Sequence, residues 1–108
     1  MALQVAEMSF ELISAIRPVI ERIRRRDRSL ADQLVRAASS VALNIAEADK
    51  SDPGNQRARF CTAAGSANET AAALRVALAW GYVGAAEVEA ASALVQRVLA
   101  MLWKLSRR

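Results

Sequence analysis

Apolar residues recur along this chain at intervals of three and four, and the recurrence stops at three places where turn-forming residues cluster. Val5, Met8, Leu12, Ile16, Val19 and Ile23 make the first stripe, which on a period of 3.6 residues is one face of a helix over about residues 3–26. Pro18 falls inside that stripe. It removes one backbone donor and crowds the preceding turn, so a kink near residues 14–18 is expected, with a break into two helices as the alternative. Leu30, Leu34, Ala38, Val41 and Ile45 predict a second helix over about 30–49. Phe60, Ala64, Ala67, Ala71, Leu74 and Leu78 predict a third over about 54–80. Val88, Ala91, Val95, Val98, Leu102 and Leu105 predict a fourth over about 85–106, in a near-heptad pattern.

The interruptions carry their own signals. In ERIRRRDRS at 21–29, arginines close the first helix against its dipole, and Asp27 or Ser29 can cap the second, with Asp32 three residues beyond Ser29. KSDPGN at 50–55 is the clearest break: Asp52 is a cap candidate and Pro53 suits the first helical position. Gly81 and Gly84 bracket the last turn, WGYVG. Four helices of about 20 residues on short connections give one all-α domain over residues 1–108, an antiparallel up-down-up-down four-helix bundle.

Composition agrees. Apolar residues are 54% of the 108 and many are Ala, while Gly and Pro number only 4 and 2, so little interrupts helix. The formal charge is +4, and Arg far outnumbers Lys. That balance permits an anionic partner without requiring one. A single cysteine, Cys61, rules out an internal disulfide framework and fits a reducing, cytoplasmic setting. Beside Phe60 and Ala64 it reads as a small buried thiol. Arg or Glu interrupts every apolar run before the roughly 18 residues a membrane span needs. MALQVAEMSFEL lacks the basic start of a signal peptide, so no membrane association is expected.

Arg36, Ser40, Asn44 and Glu47 follow spacings of four, four and three, a polar stripe on the second helix. Because the chain reverses near residue 52, residues whose numbers sum to about 105 should face each other. Arg36 then lies opposite Glu69, Ser40 opposite Gly65, Asn44 opposite Cys61, and Glu47 near Arg57 or Arg59. The expected pairs are Arg36–Glu69 and Glu47–Arg59 or Glu47–Arg57, a buried network that fixes helix register. Breaking such a pair would cost on the order of 3–5 kcal/mol. A ligand pocket and a subunit contact are the other readings of the same residues.

Catalytic chemistry finds little to work with. The chain has no His, which removes Glu-x-x-His di-iron sites, a base for Cys61 and any Ser-His-Asp triad. With one thiol, zinc is also not expected, and no phosphate-binding glycine loop is present. Acid pairs such as Asp49 with Asp52, or Glu87 with Glu89, sit at turns and helix starts. No enzyme activity, metal or cofactor is expected. The basic run Arg22, Arg24, Arg25, Arg26 and Arg28 is the candidate surface for RNA or DNA phosphates, its alternative being a solvated helix end. Trp80, Tyr82 and Trp103 could stack on bases, but Trp80 and Tyr82 also suit a cover over a bundle end. Arg107 and Arg108 should lie near the second-to-third turn, away from the cluster.

RAASSVALNIAEA at 36–48, RFCTAAGSANET at 59–70 and GYV at 81–83 resemble the four-helix-bundle family named for 23S rRNA intervening sequences. That family carries a stretch close to R-A-A-x-S-I-P-x-N-I-A-E-G, then R-F-x-x-x-A-x-G-S-x-x-E and a Gly-Tyr turn. Arg36, Ala37, Ala38, Ser40, Asn44, Ile45, Ala46 and Glu47 match, as do Arg59, Phe60, Ala64, Gly65, Ser66 and Glu69. Ala42 stands where proline is usual, which implies a straighter second helix, and Ala48 where glycine is usual, which lets that helix extend. The resemblance implies an antiparallel bundle that often assembles into a ring-like homopentamer. A similar branch, the accessory variability determinant of diversity-generating retroelements, is a basic pentamer that binds a reverse transcriptase and nucleic acid. Five copies at +4 would total about +20, enough for salt-sensitive binding. The function expected is a non-enzymatic oligomeric scaffold contacting nucleic acid through Arg22–Arg28. The alternative is an adaptor for a protein partner that binds no nucleic acid.

Overall fold

A computed structural model describes residues 2–107. Its four helices are α1 (Ala2–Arg24), α2 (Arg28–Asp49), α3 (Pro53–Ala79) and α4 (Ala85–Ser106), with no strand among the described residues. Each helix packs on its chain neighbours and α1 also packs on α4, which closes an up-down-up-down ring of 42 × 22 × 19 Å. α1 continues through Pro18 as one helix. The proline is exposed, and Leu12, Ile16, Val19 and Ile23 on either side of it stay buried on one face.

Local chemistry sets the helix ends. Asp27, not Ser29, caps α2: its backbone is extended (φ −154°, ψ 95°) and its Oδ1 accepts from the Leu30 N–H at 2.9 Å. Asp52 caps α3 in the same way through the Asn55 N–H at 3.0 Å, with Pro53 first in the helix. Gly84 has no side chain to cap α4, so Glu87 reaches back and accepts from the Gly84 N–H at 2.8 Å. α2 passes through Ala48 to Asp49, the extension that alanine at that position implied.

Val5, Leu12, Ile16, Ile23, Leu34, Val41, Leu74, Val95, Val98 and Leu102 fill the interior. Two polar residues are buried among the described residues, Ser9 and Thr70, and each turns its hydroxyl to a carbonyl of its own helix, Ala6 O at 2.7 Å and Ser66 O at 2.8 Å. On α3 the expected core stripe needs correction. Leu78 is exposed and Ala77 takes the inward place, while Ala71 is half-buried. Cys61, expected inside, is exposed. Alanine occurs all around α3, so apolar spacing there does not single out one face.

Candidate functional site

The polar stripe of α2 meets α3, but as a rim and not as a buried network. The Ser40 and Ser66 hydroxyls share a hydrogen bond of 2.8 Å, one residue from the expected Ser40–Gly65 register. Asn44 donates through Nδ2 to Ser40 O at 2.9 Å and to Ser40 Oγ at 3.0 Å, and its Oδ1 accepts from Arg59 at 3.5 Å. The charged members stand apart. Arg36, Glu47, Arg57, Arg59 and Glu69 are all exposed, and neither Arg36–Glu69 nor Glu47 with Arg57 or Arg59 forms an ion pair. The cause is side-chain size: Ala37, Ala48 and Ala63 fill the seam beneath them, so long charged side chains extend into water at its edge.

The arginine run is divided among different partners. Arg22 pairs with Glu87 of α4 at 3.1 Å, and Arg24 with Asp32 of α2 at 2.7 Å. The hydrogen bond from Arg24 holds the Asp32 carboxyl below the usual range, as the bond from the Asn55 N–H does for Asp52. The Arg26 guanidinium lies over the Tyr82 ring, 5.5 Å from its centroid. Arg25 and Arg28 are exposed and have no ion pair among the described residues.

Tyr82 also joins the two turns at this end. Its hydroxyl donates to Asp27 Oδ2 at 3.2 Å, and its ring stacks with Trp80 at 6.4 Å between centroids and 17° between planes. Desolvation, and then the Asp27 carboxylate, push the phenol above its ordinary pKa. Gly81 makes this placement feasible with its left-handed φ of 77°, while the Tyr82 N–H bonds to Ala77 O at 3.0 Å. Asp27 and Tyr82 carry no periodic signal in the sequence. Only their places on two turns at one end of the bundle hint at the contact.

Two uncovered, mainly apolar depressions follow one another along the seam of α1 and α2. Leu3, Ala6, Phe10, Ile45 and Ala46 line the one toward the Asp52 turn, edged by Asp49 and Lys50, and Ile13, Ile20, Val35 and Ala38 the one toward the Asp27 turn, edged by Arg17, Glu21 and Arg24. Leu3 and Phe10 are 76% and 54% exposed, and Leu43 on α2 is 65% exposed. Charge is unevenly distributed along the bundle. In the α1/α2 half Glu7, Glu11, Glu47 and Asp49 outweigh Lys50 toward the Asp52 turn, and the arginines from Arg17 to Arg36 outweigh Glu21, Asp27 and Asp32 toward the Asp27 turn. In the α3/α4 half the net balance is reversed: Arg57, Arg59, Arg97 and Lys104 outweigh Asp52 toward the Asp52 turn, and Glu69, Glu87 and Glu89 outweigh Arg75 toward the other.

Among the described residues no three His, Cys, Asp or Glu groups are placed to hold a metal ion. Among the described residues no helix is long and apolar enough to cross a membrane. Arg107 ends α4, and Arg108 lies outside the described residues.

The family model described as 23S rRNA-intervening sequence protein matches residues 1–104. The chain belongs to that family. Its members are small helical proteins whose function is not established, and it is not a known enzyme family. A crystal structure of a protein of unknown function from the S23 ribosomal protein family of Bacteroides thetaiotaomicron superposes with a TM-score of 0.88 at 19% identity, covering 96% of this chain and 99% of that one. At that identity the likeness establishes the fold alone. No curated protein matches the chain.

Proposed function

We propose that this protein of the intervening-sequence family is a non-enzymatic, cytoplasmic scaffold that works as a homo-oligomer, its copies meeting on the depressions along the seam of α1 and α2. The observation that carries the reading is the uncovered apolar strip from Leu3 and Phe10 to Val35. An apolar strip with a polar rim is the usual anatomy of a protein contact. Charge argues for a second copy as the occupant. When two copies stand side by side in the same direction, the α1/α2 half of one meets complementary charge on the α3/α4 half of the next at both levels. Such a contact uses two different surfaces, so repeating it closes a ring when the rotation allows, and the family resemblance implies five copies.

Light scattering coupled to size exclusion tests this. The wild type should run as a defined oligomer, and Phe10→Glu, at an exposed position, should shift it to monomer with its helical signal intact. A wild-type monomer at micromolar concentration would sink the reading.

A second reading concerns the Asp27 end. Arg25 and Arg28 are exposed and unpaired among the described residues, which suits phosphate contacts. In a ring of parallel copies these ends gather on one side. Binding to RNA or DNA should then weaken steeply with salt. A stable oligomer indifferent to nucleic acid would leave the adaptor role, with a protein partner.

A further inference from the structure

We propose that the Trp80 indole is a stacking platform for an unpaired base of single-stranded nucleic acid, beside phosphate contacts from Arg25 and Arg28. This rests on reading the Asp27 end as a nucleic-acid surface, and it adds a preference for single strands.

Exposure alone says little, since single apolar side chains are common on surfaces. What distinguishes Trp80 is that a 68% exposed indole is held in order. It stacks with Tyr82, and Tyr82 is fixed by its hydroxyl bond to Asp27 and by the Arg26 guanidinium over its ring. The backbone is equally fixed: the N–H groups of Trp80, Gly81 and Tyr82 bond to the carbonyls of Val76, Leu78 and Ala77, each at 3.0 Å. An aromatic surface ordered before binding loses little freedom when a base is laid on it.

The charges around it fit the same ligand. Arg25 and Arg28 flank the Arg26–Asp27 pair that contacts Tyr82, and neither has an ion-pair partner among the described residues. Arg25 and Arg28 belong to the turn that Tyr82 joins to the Trp80 turn, so a strand crossing this end of the bundle can set a base on the indole and its phosphates on those guanidinium groups. Base faces are hidden inside a duplex and open in a single strand, so the platform should discriminate between the two. It should be tolerant of sequence, because every base offers a π-face.

The test uses the full chain with Trp103→Phe, which leaves Trp80 as the fluorophore of the two tryptophans. A short oligo(dT) should quench the emission at low salt, and a duplex of equal length should quench it far less. Trp80→Ala in the otherwise native chain should weaken single-strand binding about tenfold while leaving duplex binding unchanged, and Trp80→Phe should keep part of the difference. Arg25→Glu with Arg28→Glu should weaken both ligands together. If that double variant loses affinity and Trp80→Ala does not, stacking is wrong and the phosphate reading survives. If the wild type binds neither ligand, or the double variant loses nothing, the phosphate reading fails and the proposal with it. A change in oligomer size caused by Trp80→Ala would assign the indole to a subunit contact and overturn the proposal.

Discussion

Helix α2 meets α3 along one flank and α1 along the other, and the two seams close to different degrees. Toward α3 the residues are small: Ala37, Ala48 and Ala63 are essentially inaccessible, and the hydroxyls of Ser40 and Ser66 meet directly. α2 and α3 accordingly share the most extensive helix–helix contact in the bundle. Toward α1 the inner layer is built from Leu12, Ile16 and Leu34, while Phe10, Ile13 and Val35 stay partly uncovered above it. Small side chains let helix axes approach and larger ones hold them apart. One helix thus presents a finished flank and an unfinished one. The unfinished flank is where a partner gains most from burial.

Changes in side-chain size should separate the two seams most strongly. Leu12→Ala, at a fully buried position on the α1 side, should cost about 2–5 kcal/mol in urea denaturation through lost burial and a cavity. Ala63→Leu, on the α3 side, should cost about 1–3 kcal/mol because no space exists for the added carbons. If Ala63→Leu were neutral, the seam would not be as closed as its burial indicates.

A turn contact comes next in size. Asp27→Ala removes the cap of α2 and the acceptor of Tyr82 together, for about 0.5–2 kcal/mol by thermal melting. Tyr82→Phe should lose only the second part. Equal losses would mean that the cap contributes nothing.

Acid should act more weakly. Asp32 and Asp52 are held below the ordinary carboxylate pKa of about 3.9 by their hydrogen bonds. Their contribution is therefore complete above that value and disappears as pH falls through the lower folded-state values. Asp32→Asn loosens the α1–α2 bridge to Arg24, and Asp52→Asn weakens the start of α3. A chain with both changes should lose less stability between pH 5 and about pH 3 than the wild type.

The same contrast explains what could be read from the sequence. The α1 stripe of Val5, Leu12, Ile16 and Ile23 was legible because large apolar residues on one face stand out from the charged residues on the other. The cap at Asp52 and the four helices were legible from turn chemistry, the cap of α2 was narrowed to Asp27 or Ser29, and chain reversal placed Ser40 one residue from its partner Ser66. The inward face of α3 was not legible, since alanine on every side makes inward and outward positions look alike, which misplaced Leu78 and Cys61. A spacing of four describes a helix rim as well as a helix core, so spacing alone does not tell the exposed Arg36 and Glu69 from a buried pair. The Tyr82–Asp27 contact spans 55 residues between two turns and leaves no periodic trace. The candidate surfaces were thus legible only in part. Sequence located the arginines, while the pairing of Arg22 and Arg24 and the open depressions between α1 and α2 emerged only with the packing.

Arg36 and Glu69 give the smallest and sharpest test of the closed seam. A buried ion pair loses about 3–5 kcal/mol when one partner is removed, because the other charge stays stranded. Neither residue is buried here, and no bond joins them. Arg36→Ala, Glu69→Ala and the double variant should each lie within about 0.5 kcal/mol of wild type, with no coupling in the double-mutant cycle. The measurement should be repeated over a range of protein concentrations. A loss that appears only where copies associate would place Arg36 in the contact between them, as its position among the basic residues of the α1/α2 half predicts. A large loss independent of concentration would mean that the seam closes over these charges after all.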